Sequence, residues 1–145
     1  MGVFIATLLP SMISAQTDSW TQRSDLGGPG RLYPFSCAIW TKGYVIGGRN
    51  SSGDSQDTWE YDQTSNTWSL KAPFGGGPRY SPAGFVINDI AYVGGGQTGT
   101  TVKSDFWSFD PVANSWQQVA SCPVNRYDAT GFAINGKGYI CCGSI

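Results

Sequence analysis

Two kinds of apolar pattern alternate along this chain. The first is apolar on consecutive positions: Phe35–Thr41 (FSCAIWT), Pro82–Asn88 (PAGFVIN) and Ala129–Asn135 (ATGFAIN). Each is followed, after a tight turn, by a second such run: Tyr44–Gly48 (YVIGG), Ala91–Gly95 (AYVGG) and Tyr139–Cys142 (YICC). Short continuous apolar runs fit strands buried on both faces. The turns are expected at Lys42–Gly43, Asp89 and Asn135–Gly136, the last being Asn-Gly, the strongest short hairpin signal. The second kind alternates aromatic and polar residues, as in Asp57–Asp62 (DTWEYD) and Asp105–Asp110 (DFWSFD), the period of a strand with one buried face. Turn chemistry at Asp62–Asn66 and Asp110–Asn114 then leads to a fourth strand, Thr67–Lys71 (TWSLK) or Ser115–Val119 (SWQQV). The polar stretches Arg49–Gln56 and Gln97–Ser104 predict loops, and Pro73–Pro78 a Gly/Pro-rich connection.

The pattern is a repeat. Trp20, Trp68 and Trp116 stand 48 residues apart, as do Trp59 and Trp107, Asp57 and Asp105, and Tyr61 and Phe109. Arg31, Arg79 and Arg126 follow the first three tryptophans, and Tyr44, Tyr92 and Tyr139 each come 13 residues after the matching arginine. A period of roughly 20–50 residues means one supersecondary unit copied along the chain. Four antiparallel strands per unit, repeated radially, make the blade of a β-propeller. The marks resemble the kelch repeat: a diglycine closing the second strand, then Tyr, then Trp after six intervening residues. Gly47–Gly48, Tyr61 and Trp68 meet that pattern, and so do Gly95–Gly96, Phe109 and Trp116, with Phe in place of Tyr.

The expected fold class is therefore all-β, a partial β-propeller of four-stranded antiparallel kelch blades that does not close. Its parts are a lone fourth strand at 19–25, blades at 34–72 and 82–120, and a partial blade at 129–143. That makes eleven strands, whereas a closed propeller needs roughly 4–8 blades of about 50 residues each. The ring then closes with remaining blades of a longer parent or by self-association of copies.

Composition narrows function. With a net charge of −1 and 13% charged residues, there is no footprint for nucleic acid or an anionic membrane. The absence of histidine removes the commonest general base and the commonest metal ligand; no cofactor and no metal site is expected. Residues 1–15 (MGVFIATLLPSMISA) are uncharged and apolar from Val3 to Leu9, and read as a secretory signal peptide cut near Ala15–Gln16. They are too short for a membrane span and lack a basic residue ahead of the apolar run, so an ordinary buried strand is the other reading. The expected location is secreted, periplasmic or cell-surface. Cys37 stands where Phe85 and Phe132 stand in the other copies, a small buried hydrophobe. Cys141 and Cys142 are adjacent, and a bridge from Cys122 to either competes with free thiols.

Residues that return in each copy are assigned to architecture: Trp20, Arg31, Gly47, Gly48, Tyr61, Trp68, Arg79, Gly95, Gly96, Phe109, Trp116 and Arg126. The arginines are expected to brace neighbouring blades by bonding carbonyls or a carboxylate, and Asp57 and Asp105 to satisfy turn amides. Binding residues favour loops on a rigid scaffold. The loops after the second and fourth strands emerge on one face and carry the copy-specific candidates Arg49, Asn50, Asp54, Tyr80, Gln97, Thr101, Lys103 and Tyr127, with Tyr33 near the inner rim. Trp40 replaces the Asn88 and Asn135 of the other copies. The resemblance implies a non-catalytic scaffold engaging protein or glycan. It also implies two alternatives: a carbohydrate-active enzyme similar to sialic-acid mutarotases whose active site lies in other blades, and a structural spacer in a surface assembly. The first strands carry no carboxylate or base, which argues against catalysis in this segment.

Overall fold

The computed structural model describes residues 3–6 and 19–145. Most of the expected leader, with its cut near Ala15–Gln16, lies outside the described residues. Two four-stranded antiparallel sheets form the body, each a simple meander. The first blade runs β3 (Phe35–Ile39), β4 (Lys42–Ile46), β7 (Thr58–Asp62) and β8 (Thr67–Leu70). The second runs β9 (Ala83–Ile87), β10 (Ile90–Gly94), β13 (Phe106–Asp110) and β14 (Ser115–Val119). A hairpin of β15 (Thr130–Ile134) and β16 (Lys137–Cys141) begins a third. The class is all-β, a partial propeller of kelch-type blades.

Among the described residues, sixteen strands appear where eleven were expected. The polar stretches after the second strands are not plain loops. They fold back as two-residue ladders, β5 (Arg49–Asn50) with β6 (Gly53–Asp54) and β11 (Gln97–Thr98) with β12 (Thr101–Val102). Such short ladders leave no periodicity to read. The fifth additional strand is β1 (Val3–Ala6), which pairs antiparallel with β2 (Trp20–Arg23), so the fourth strand at 19–25 is not alone.

Two turns need correction. The first copy turns at Trp40–Thr41 and not at Lys42–Gly43, which opens β4; the second turns at Asn88–Asp89. Trp40, Asn88 and Asn135 share a left-handed φ of 52°, 49° and 51°. Asn tolerates that conformation, whereas an aromatic side chain is strained in it. Trp40 is 57% exposed, so it is a turn residue without a core role. The diglycines lie just past the second strands, not inside them. Gly47 and Gly95 adopt φ of 64° and 62°, and a Cβ there would meet the carbonyl oxygen of Arg79 at 2.8 Å or of Arg126 at 2.6 Å. Only glycine lets the next arginine's backbone come so close.

The core sits between blades. Ile39, Tyr44, Ile46, Phe74, Ala91, Val93 and Phe109 form one buried cluster drawn from both sheets. Tyr44 of β4 meets Phe109 of β13 edge-on at 5.7 Å, and Phe74 of the connecting loop meets Trp116 of β14 at 4.7 Å. Aromatic pairs of this geometry add about 0.5–1.5 kcal/mol each beyond their area burial. Phe35 of β3 lies over Gly84 of β9, where a Cβ would stand 2.8 Å from its ring. Trp68 and Trp116 each donate from Nε1 to a carbonyl of the preceding connection, Ser24 and Ala72, at 3.1 Å. Trp20 departs from its set: it is 68% exposed, not core. Tyr139, which recurs in register with the buried Tyr44, is 42% exposed.

Candidate functional site

The recurring arginines act as joints. Arg79 leaves the first blade with its backbone still tied to it: its N–H donates to the Ser55 carbonyl at 3.0 Å, and its own carbonyl accepts from Gly48 N–H at 2.8 Å. Its side chain then enters the second blade, bonding the Gly95 carbonyl at 3.0 Å and both carboxylate oxygens of Asp105 at 2.9 Å. The guanidinium carbon lies 4.7 Å from the Phe74 ring centre, and the side chain is 1% exposed. Arg31 does the same for the first blade through the Gly47 carbonyl, Ser55 and Asp57. The expectation of carbonyls and a carboxylate is met. Asp57 and Asp105, expected to satisfy turn amides, serve the arginines and the indole N–H of Trp59 and Trp107 instead. Burial would raise the Asp57 carboxyl, but hydrogen bonds from Ser55, Arg31 and Trp59 outweigh it and hold it at about 2. Asp105 is likewise held down by Arg79 and Trp107 against its burial.

The copy-specific residues gather on the loop face, where the connections after the second and fourth strands meet. Isolated bridges join Leu32 to Arg49, Tyr80 to Gln97 and Tyr127 to Ser144. One patch forms between the first two blades. Asp54 accepts from Arg49 Nε at 2.6 Å and, through its other oxygen, from the Gly99 N–H at 2.8 Å. The Arg49 guanidinium carbon lies over the Tyr80 ring, 3.9 Å from its centre. Tyr80 in turn points its hydroxyl at the Gly99 carbonyl, and its ring stands 6.2 Å from that of Tyr33. The β5–β6 hairpin of one blade is thus bound to the β11–β12 hairpin of the next. The Arg49 hydrogen bond holds the Asp54 carboxyl below its usual range.

The structure brings together Arg49, Asp54, Tyr80 and Gln97. Asn50 sits beside them, with its side-chain carbonyl accepting from Ser52 N–H inside the hairpin turn. Thr101, Lys103 and Tyr127 belong to the second junction: Thr101 lines a groove with Pro123, Val124 and Asn125, and the Lys103 carbonyl accepts from Arg126 N–H. Sequence reasoning missed Ser81 and Asp128. Tyr33, Ser81 and Asp128 hold the inner rim in left-handed conformations, φ 55°, 54° and 52°, with Ser81 N–H bonding the Tyr33 carbonyl and Asp128 N–H the Ser81 carbonyl. Their side chains differ, so no sequence repeat flags them. Among the described residues, no three His, Cys, Asp or Glu side chains converge as a metal cage would need.

A meander of four strands, a diglycine–arginine joint and blades sharing their core define a kelch-type propeller. The comparisons agree with that class. The model of the KLHDC2/KLHL20/DRC7 Kelch-repeats domain matches residues 10–143, and the chain belongs to this family. The solved structure of YjhT superposes with a TM-score of 0.78 at 20% identity, over 87% of this chain. The chain spans 48% of the length of that structure. No curated protein matches it.

Proposed function

We propose that the chain is a non-catalytic binding scaffold whose loop face engages a protein or glycan ligand. The kelch propeller fold supports a scaffold in general terms. The observation that carries the finer reading is the Arg49–Asp54–Tyr80 patch, assembled from positions that do not repeat. Gln97 stands at the place of Arg49, and Val102 at the place of Asp54. The arginine joints hold this patch on a rigid frame, the arrangement on which binding loops depend. With Nε held by Asp54, Arg49 keeps further N–H donors for acceptors on a ligand. Its side chain is 42% exposed, and the neighbouring Tyr33 offers an open ring. A planar cation seated on a tyrosine ring suits a carboxylate or hydroxyl-rich surface.

Binding of the full chain to protein and glycan arrays tests this. Arg49→Ala with Tyr80→Phe is expected to abolish the signal, whereas Thr101→Ala, at the other junction, leaves it. Equal binding by both variants would sink the patch as the site.

We infer, as a second reading, that an outer half-blade covers β16. At the first junction Trp107 lies on Gly75, and in the first blade Trp59 lies on Gly27 and Gly28. At the second junction a 420 Å³ groove, lined by Phe85, Phe106, Pro123, Arg126 and Ile140, occupies the corresponding position. Phe132 and Tyr139 are each 42% exposed beside it. A strand carrying the Asp-x-Trp pattern of β7 and β13 fits that groove and gives Arg126 its carboxylate.

A further inference from the structure

The three copies make the same two-residue turn between their first and second strands with different residues: Trp40–Thr41, Asn88–Asp89 and Asn135–Gly136. Asn88 and Asn135 are the same side chain in the same backbone, φ 49° and 51°, and the residues after them, Asp89 and Gly136, are left-handed too, at 65° and 71°. Two consecutive positive φ values are the turn geometry that Asn-Gly favours. Both asparagines are exposed. Asn88 is exposed although its blade has the first blade on one side and the β15–β16 hairpin on the other, so this turn stands open wherever in the ring it lies. What separates the two asparagines is the residue that follows. Asp89 carries a side chain, whereas a Cβ built at Gly136 would meet nothing within 4 Å. Gly136 also precedes β16, and the ladder closes on the Ile134–Lys137 pair, so the Gly136 N–H stands outside the ladder.

We propose that Asn135 is a site of spontaneous backbone modification, converting to aspartate and isoaspartate through an imide formed with Gly136. The Gly136 amide nitrogen, on losing its proton, attacks Asn135 Cγ. The new C–N bond closes a five-membered imide, and the side-chain nitrogen leaves as ammonia. Water then opens the imide at one of its two carbonyls, and no other reactant is needed. Opening at Cγ leaves aspartate on the ordinary backbone. Opening at the main-chain carbonyl leaves isoaspartate, in which the chain runs through the former side chain and is one carbon longer. The asparagine must swing out of its left-handed well to be attacked. A glycine follower permits this because it has no side chain to crowd the forming ring; Asp89 denies it to Asn88. Turn length fixes the register of a hairpin, so one extra backbone carbon displaces β15 against β16. These are the strands that meet the second blade: Gly131 lies against the Gly84 backbone, and Phe85 lies over Gly138. Isoaspartate at this turn therefore loosens the second junction.

Trypsin makes the test direct, because it puts the two asparagines on separate peptides. Tyr127–Lys137 contains Asn135 and no other asparagine, and Tyr80–Lys103 contains Asn88 and no other. The folded full chain is warmed for days in mildly alkaline buffer, digested, and compared with an unincubated sample. The expected result is loss of the original Tyr127–Lys137 peptide to two products, each heavier by the exchange of an amide NH2 for OH. One of the two is methylated by protein isoaspartyl methyltransferase, and Tyr80–Lys103 is unchanged. Gly136→Asp, which copies the turn that the second blade already accommodates, should abolish the conversion. Asp89→Gly should transfer it to Tyr80–Lys103. An unmodified Tyr127–Lys137 peptide, equal conversion of both asparagines, or aspartate without isoaspartate would each overturn the site. Amide exchange along β15 is expected to rise in step with the isoaspartate fraction; unchanged exchange would overturn the loosening of the junction.

Discussion

The two junctions of this molecule use the same parts to different extents. Between the first and second blades, Arg79 is wrapped by a carboxylate, carbonyls and an aromatic ring, and Tyr44 is 2% exposed. Between the second blade and the β15–β16 hairpin, Phe85 lies over Gly138 and Arg126 reaches the Cys142 carbonyl, but Tyr92 is only half-buried beside an open groove. The inner strands alone therefore bring the blades into contact. The outer strands, with Asp-x-Trp, bury the arginine and fix the joint.

That difference sets the largest expected effect. Asp105→Ala leaves the Arg79 charge buried without its partner, a change worth about 3–5 kcal/mol. Arg126→Ala removes a hydrogen bond at the exposed end of the open junction and should cost about 1 kcal/mol or less. Urea unfolding of the two variants checks the ratio. Equal losses would mean that the filled junction owes nothing to its carboxylate.

Gly95→Ala comes next. The alanine must hold a left-handed φ, which costs about 1–2 kcal/mol, and its methyl meets the Arg126 carbonyl at 2.6 Å. Gly77→Ala has a comparable φ of 78° but nothing within 4 Å, so it should incur the conformational cost alone. The difference between them, read from urea midpoints, isolates how closely the second junction must approach.

Acid separates the junctions by charge. The carboxyls of Asp57 and Asp105 are depressed in the folded state, so their contribution is present above the ordinary carboxylate range, about pH 4, and is lost as pH falls through the folded values. For Asp57 that window runs from there down to about 2. Asp57→Asn should flatten the stability–pH curve in this window. A curve unchanged by that substitution would show the carboxylate to be uncoupled from folding.

Much of this was legible because a repeat was present. The interval of 48 residues placed eight strands of two blades and picked out the arginine joints before any coordinate. The role of Asp57 and Asp105 was missed because an aspartate opening a strand looks like turn chemistry, and its partner lies 26 residues away in sequence. Trp20 was assigned to the shared architecture with Trp68 and Trp116, yet it stands exposed. Analogy carries conformation better than burial, which depends on the neighbours each copy finds. The Arg49 patch was half legible: the residues were singled out by failing to repeat, but their pairing across two hairpins is tertiary.

Residues 1–15 have two uses that exclude each other, and deciding between them moves the least structure. A leader cut near Ala15–Gln16 would carry away β1, leaving Trp20–Arg23 without the partner it has here. If β1 is retained, the intact mass of protein recovered from its native cells includes the N-terminal segment, and Ile5→Pro, which deletes one ladder N–H, lowers the urea midpoint slightly. If export removes it, the mass begins at Gln16 and the substitution leaves the mature protein unchanged. The first blade's arginine joint holds Arg31 to Gly47 and Asp57 without any residue of that segment, so blade stability should be the same in either case.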